Sequence, residues 1–466
     1  MPGGREKRCL LEKFEKAKDV VFSLIGDFEK AHRRFKYCSS EQGYLACKVS
    51  DHDPFVYVNK VGTFGVSSTP YWWSRLSGAL LRLVHYLLGP GVPIEMLLYA
   101  DDLETMGIGK EGRKGLVLAY VVMAAMRAPF KWKKQRGGLQ TEWIGLFTDY
   151  SRYAFGLSEK RADWLVRWME GVCQEKVVDP REFVAVLGRL GFASSALPWE
   201  KPFLGPLYVW SSATRGQAGR VIVPWAVLAI LDWLARRLKA GGRMEEVKWE
   251  PPTQKGGLVF FTDARASEKD ACIGGYLRVS EDLMQCPWFS IDVDEELAPW
   301  MRSKGGSPKR VIAALELLAT LVAVKLWGGR FPGGLKGKMK AFTDNRGNSF
   351  ALAKGMSTKF PLTVLLMELA EELRCLNMRL DLEWLRREEN EQADALSNGD
   401  WSLFNPELRE SFDERGVKWR ILGEVQKRGE DLYKEVQALK EEKRLANAAK
   451  SSRAARKGKT KVLPKW

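Results

Sequence analysis

Histidine is nearly absent from this chain: the 466 residues hold three, His32, His52 and His85, too few for a histidine-rich metal centre. The seven cysteines (Cys9, Cys38, Cys47, Cys173, Cys272, Cys286 and Cys375) have no paired spacing. That pattern argues against a zinc ribbon and against a secreted disulfide framework. Any metal is therefore expected on carboxylates, which favours magnesium (Mg2+), with manganese (Mn2+) as the alternative. The longest apolar run, Leu116–Met126, is too short to span a bilayer. The opening stretch MPGGREKRCLLEKFEKAKDV has no apolar signal core, and internal repeats are missing. These absences predict an intracellular chain in a reducing compartment, with no membrane partner.

What is present is length, apolar residues and positive charge. A chain of 466 residues is expected to form several folded units, and 45% hydrophobic residues suffice for sizeable cores. The formal net charge of +16 points to a polyanionic partner, unless it is merely a solvated basic surface.

Periodicity organises the chain. Residues 19–26 (DVVFSLIG) predict a buried strand ending at Asp27, followed by a strand pair over Tyr44–Val49 and Phe55–Lys60. A helix with an aromatic-rich apolar face is predicted over 70–88, then a hairpin at MLLYADDLETMG, a helix near 110–127 and a strand over Thr141–Phe147. From Ser158, a plausible N-cap, the pattern turns helical, and Asp179-Pro180 opens a second helix. Residues 197–250 carry prolines, tryptophans and the amphipathic segment AVLAILDWLARRL, and look like a connector. EPPTQKGG is a linker signal, after which the strand LVFFTD begins. Beyond residue 400 the patterning weakens, and a charged helix from Val436 leads into a basic, disorder-prone end.

Four acids stand out after Glu250. Asp263 follows LVFFT at a strand end, Glu316 sits inside the helix PKRVIAALELLATLVAVKLW, Asp344 ends the strand of KMKAFTDN, and Asp394 lies in the helical turn NEQADALS. Carboxylates at strand ends and on packed helices can converge though distant in sequence, and such a cluster suits two hard cations acting on a phosphodiester. Glu316 is the most telling, because Ala313, Ala314, Leu315, Leu317 and Leu318 surround it and a buried charge is costly unless paired. TDN alone reads equally well as an Asx turn.

The segments TDARAS…GGYL, ALELLA, FTDN and NEQADALS, in that order over residues 255–400, resemble the retroelement branch of ribonuclease H. That resemblance implies hydrolysis of the RNA strand of an RNA·DNA hybrid with two magnesium ions, held by Asp263, Glu316, Asp344 and Asp394. The loop before the last aspartate, LRREENEQ, has no histidine where cellular members often carry one.

Upstream, Tyr99-Ala100-Asp101-Asp102 follows the apolar MLL. Adjacent aspartates at a hairpin turn could present carboxylates to a cation pair, with Asp27 the candidate third; a lone pair is otherwise a solvated turn. GDFEKAHRR, GTFGVSSTP, LLYADD, KWKKQRGG and TEWIGL resemble, in order, five motifs of a reverse transcriptase palm. The match implies that Asp27 and Asp101 ligate metal with Asp102 beside them. It also implies that Gly65 lets backbone approach the incoming nucleotide and that Lys134, or Lys133, aids the leaving group. His32 stands where the family has an aromatic gate, and Phe64 at a position that varies among members. Only 26 residues precede Asp27, so the family's fingers are expected to be missing from this chain. The run Pro129–Arg136, mixing cations with Phe130 and Trp132, suits phosphate contact and stacking, or else lysines flanking a core tryptophan.

The expected architecture is an α+β palm with an antiparallel sheet (1–147), a helical thumb (148–196), a connector (197–254), an α/β ribonuclease H-like domain with a mixed sheet (255–400) and a basic tail (401–466) that is a candidate nuclear address. The expected partners are RNA·DNA hybrid, RNA template and DNA primer, and deoxynucleoside triphosphates. The rival expectation is a non-catalytic nucleic-acid-binding relic of the same ancestry.

Overall fold

The computed structural model describes residues 2–63, 65–247, 258–302, 306–330, 338–412, 419–420 and 422–456. They fall into two compact units, Met1–Ala162 with Gly241–Trp249, and Asp163–Ala240 with Glu250–Trp466.

The first unit opens with helix α1 (Gly4–Ala17), a stretch in which only the missing signal core was expected. Strand β1 (Val21–Asp27) alternates buried and half-buried positions as a strand with one covered face should. Helix α2 (Ser68–Leu88), the hairpin of β2 (Ile94–Tyr99) and β3 (Asp102–Ile108), helix α3 (Gly109–Ala125) and strand β4 (Arg136–Gly138) follow. The sheet runs β2-β3-β1-β4, antiparallel throughout. Its core joins Phe28, Trp73, Leu103, Tyr120, Met123 and Phe130. A second antiparallel sheet is built from β5 (Gln140–Trp143), β6 (Leu146–Asp149), β7 (Ala154–Leu157) and β8 (Met244–Glu246).

Two expectations need correction here. The strand pair over 44–60 shrinks to Ala46–Cys47 against Tyr57–Val58, all exposed, because no apolar layer covers it. The single strand over 141–147 is two strands, since Ile144 (φ 47°) and Gly145 (φ 89°) make a tight turn in its middle.

The second unit begins with α4 (Glu159–Glu175), most of which belongs to it, then α5 (Pro180–Ala193), α6 (Leu204–Thr214) and α7 (Trp225–Arg237). Asp179 caps α5 as expected, accepting from the Arg181 and Glu182 amides at 2.7 and 3.4 Å. A five-stranded mixed sheet comes next, from β9 (Val259–Ala266), β10 (Ala271–Leu277), β11 (Trp288–Asp292), β12 (Lys338–Thr343) and β13 (Arg379–Trp384), in the order β11-β10-β9-β12-β13. The pairings of β9 with β12 and β12 with β13 are parallel, the others antiparallel. Helices α8 (Ile312–Trp327), α9 (Arg346–Lys354), α10 (Leu362–Leu376), α11 (Glu391–Ser397) and α12 (Leu422–Arg456) complete it.

Alternation along β9 sends Phe260 and Thr262 toward Trp327 and Thr320 of α8, and Phe261 and Asp263 toward the side packed by α11. The α8 segment is apolar and long enough to cross a membrane by length and composition alone, yet it is mostly buried, as a core helix packed on the sheet and α10 is. The first half of the tail packs as well: Val425, Leu432 and Val436 are buried on a helix that meets α6, α7 and α10. EPPTQKGG and the last ten residues lie outside the described ones.

A closed polar network anchors α1 in the first unit. Lys7, 1% exposed, donates to Glu104 at 2.5 Å and to the Tyr150 hydroxyl, while Ser23 and Tyr150 donate to Glu104 at 2.7 and 2.8 Å. Burial pushes the Lys7 ammonium down from its ordinary value and Glu104 pulls it back up. Removing one partner strands the other charge, so Lys7→Met should cost about 3–5 kcal/mol by denaturant unfolding. The double variant Lys7→Met/Glu104→Leu should recover a substantial part of that loss.

Candidate active sites

The register of the mixed sheet brings two of the four downstream acids together. The parallel ladder of β9 and β12 ends at Phe261↔Phe342; two residues further along each strand come Asp263 and Asp344. Asp263 is not at a strand end, as expected, but inside β9, which stays paired with β10 as far as Ala266↔Ala271. What stops short of Asp263 is the parallel pairing with β12, whose last partners are Phe261 and Phe342.

Helix α11 brings Asp394. Gly274 lies opposite Asp263 on β10, and a Cβ there would come within 2.6 Å of the Ser397 amide nitrogen. The missing side chain is what lets α11 lie close on the sheet. Ser397 donates to Asp263 Oδ2 at 2.6 Å, and buried Asn390 donates to the Thr262 carbonyl at 3.2 Å. One Asp394 oxygen accepts from Arg387 at 2.9 Å, the other from Asn398 at 3.0 Å. Helix α8 brings Glu316, 8% exposed, and is tied to α9 by Asn348 donating to the Ala313 carbonyl at 2.7 Å. Trp384, at the end of β13 and 45% exposed, donates its indole N–H to the Asp344 carbonyl at 2.9 Å.

These acids feel one another. Burial, with Asp344 and Asp263 nearby, pushes Glu316 up to about 8. Burial, then Asp344 and Asp394, raises Asp263 to about 6, against the pull of the Ser397 hydrogen bond. Asp344 is raised by burial and by Asp394, and lowered by Arg387. Among the described residues, Glu316 Oε2 and Asp344 Oδ1 are buried without a hydrogen-bond partner. Among the same residues no three acid, imidazole or thiol groups already enclose a single point. Partnerless carboxylate oxygens in a mutually repelling set are donors of the kind that fit a hard divalent cation.

The upstream acids meet by register too. Asp27 and Asp102 are directly opposed on β1 and β3, while Asp101 lies in the turn and its carbonyl accepts from the Phe28 amide at 2.9 Å. Ala100 at φ 52° turns the chain, its carbonyl accepting from Trp73 at 2.6 Å, and the Asp102 carbonyl accepts from Trp143 at 3.0 Å. Asp102 is raised by burial, then by Asp101 and Asp27. Asp27, however, is already neutralised: Lys131 donates to it at 2.8 and 3.1 Å, and Lys134 lies at 3.5 Å. The Phe28↔Phe130 bridge sets Lys131 there. Divalent ions fit less readily here than at the downstream set, because ammonium groups already hold the Asp27 oxygens. Gly65, at φ +89°, has open space where a Cβ would stand; His32 lies on a 3-10 turn, with Gly62 packed tightly against its carbonyl; Phe64 lies outside the described residues.

Sequence reasoning missed Lys131, Gly274, Arg387, Asn390, Ser397 and Trp384. Lys131 and Arg387 stood within the quoted motifs KWKKQRGG (one residue before Trp132) and LRREENEQ. Gly274, Asn390 and Ser397 likewise stood within GGYL and NEQADALS without an assigned role, because they, like Trp384, act through packing partners that no local pattern announces.

No protein-family model matches the sequence, and no curated protein matches it. Distant likenesses exist among solved structures. The foamy viral protease-reverse transcriptase in complex with RNA/DNA hybrid shares 12% identity, over 81% of this chain and 67% of that one, at a TM-score of 0.34. The same viral protein with dsDNA shares 15%, over 78% and 67%, at 0.36. RNase H1 from the halophilic archaeon Halobacterium salinarum NRC-1 shares 19%, over 32% and 98%, at 0.23. Likenesses this distant leave the assignment to the side chains themselves.

Asp263 and Glu316 bind protons more tightly folded than unfolded. Their contribution to stability is therefore fully present below about pH 4 and is lost as pH rises through about 6 for Asp263 and about 8 for Glu316. The cation-free chain should unfold at a lower temperature at pH 8.5 than at pH 5. In Glu316→Gln the upper part of that decline should disappear, as thermal scans across pH would register.

Proposed function

We propose that this chain is a retroelement-derived enzyme that hydrolyses the RNA strand of RNA·DNA hybrids, with an RNA-directed DNA polymerase palm in its first unit. The observation that carries the nuclease half is the set of four carboxylates, Asp263, Glu316, Asp344 and Asp394, gathered where the β9–β12 pairing ends, with two oxygens lacking partners. Divalent ions held there would activate the attacking water and stabilise the leaving oxygen. Magnesium suits the all-oxygen donor set, and manganese is the substitute.

The chain's own residues have distinct tasks. Ser397 orients Asp263 through its hydrogen bond, while Arg387 and Asn398 hold the two oxygens of Asp394. Glu316, raised to about 8 by burial and by Asp344 and Asp263, favours its protonated form near neutral pH in the cation-free site. Trp384, with Arg346 5.9 Å from its ring, offers a stacking face and a cation beside Asp344. The net charge of +16 favours any nucleic-acid strand.

For the first unit, Asp27, Asp101 and Asp102 would serve template-directed addition of deoxynucleoside triphosphates to a DNA primer on an RNA template, with Lys131 or Lys134 beside the leaving group. A second reading, in which this unit grips nucleic acid without polymerising, is favoured by the ion pairs that Lys131 and Lys134 make with Asp27. Primer extension with the purified chain separates the two.

Asp344→Asn should abolish cleavage of labelled hybrid by more than the roughly 10–100-fold typical of an outer-sphere loss, while stability holds or rises because a repelling charge is gone. Unchanged cleavage with the same metal requirement would sink the assignment. Trp384→Ala should weaken hybrid binding by about 1–3 kcal/mol in filter binding, with cleavage at saturating hybrid less affected.

A further inference from the structure

Helix α2 is apolar on two faces. One, with Thr69, Trp73, Ser77 and Val84, is buried in the first unit. The other repeats Trp72, Leu76, Ala79, Leu83 and Tyr86 at alternating steps of four and three residues, and all five are exposed, Trp72 at 55%, Leu76 at 53% and Tyr86 at 83%. Helix α3 packs beside α2 and exposes Val117, Leu118 and Val121, at 60, 50 and 57%. Spacing of this kind is the seam one helix offers another, and the fifteen residues from Trp72 to Tyr86 set its ends about 21 Å apart. Large apolar side chains left exposed in a regular row along a helix mark an interaction site.

Charge narrows the occupant. Helix α2 carries Arg75, Arg82 and His85 and no acidic residue. Helix α3 adds Lys110, Arg113 and Lys114, and its one carboxylate, Glu111, is held by Lys114 at 2.9 Å. Asp19 and Glu95 edge the groove beside Tyr86, and Glu95 is itself paired with Lys13 at 2.6 Å. A second copy meeting this face with its own would set cation against cation. A helix that bears this seam together with three cationic or titratable basic side chains and no acid selects the opposite sign.

We infer that the outer face of α2 and α3 docks an acidic amphipathic helix of a partner protein, a role separate from both carboxylate sites. The full chain would be titrated into a labelled synthetic helix of matching length, with leucine at the seam positions and glutamate beside them, read by fluorescence anisotropy. Binding should weaken with salt and fall at least about tenfold in Leu76→Glu and in Leu83→Glu, both exposed positions that the fold tolerates. Arg75→Glu/Arg82→Glu, which leaves the seam intact, should weaken the glutamate helix and admit its lysine counterpart. No binding, equal binding of the lysine helix by the unaltered chain, or indifference to these substitutions would overturn the inference. So would self-association in light scattering that Leu83→Glu abolishes, which would make the occupant a second copy. Preference for phosphatidylserine-containing vesicles over the peptide, lost in the same variant, would make it a membrane.

Discussion

Like charges gathered in an apolar frame set the terms for the whole second unit. Helix α8 is buried on nearly every side, yet it carries Glu316 toward two aspartates that lean on the same sheet. Such a cluster holds its shape only if the surrounding structure over-determines it. Here the over-determination is specific: a serine hydroxyl on Asp263, a guanidinium and an amide on Asp394, and asparagines that bolt α11 to β9 and α9 to α8. Two oxygens of the set, Glu316 Oε2 and Asp344 Oδ1, are left buried without partners.

The first unit meets the same difficulty with a different answer. Asp27 and Asp102 face each other across a ladder, but lysines from the next strand connection neutralise Asp27. Tryptophans from α2 and β5 hold the carbonyls on either side of Asp101, so the turn is rigid although Ala100 occupies a conformation that L-residues disfavour. One chain thus contains an acidic cluster left open to an external cation and another closed by internal ones.

Much of this was legible in the residues. Apolar runs located β1 and β9, the Asp-Pro step opened α5, and an acid inside ALELLA announced Glu316 because nothing else in that helix is charged until Lys325. Local patterns did not disclose register, so the approach of Asp263 to Asp344 just past the β9–β12 ladder, and the pairing of Asp27 with Asp102, emerged only from the sheets. Nor did they disclose α1, whose Lys7 reads as one more surface cation until Glu104 and Tyr150 are seen around it. The over-long strand near 141–147 came from counting apolar residues across Ile144-Gly145, where the backbone reverses.

Gly274 carries a consequence for how such chains drift over generations. It bears no charge and touches no acid through a side chain of its own, yet the seating of α11, and with it Asp394, depends on its bareness. One added methyl group on β10 would disturb the gathering of the four carboxylates while leaving every one of them in the sequence. The glycine opposite Asp263 therefore reports on the integrity of this cluster as directly as the acids themselves do.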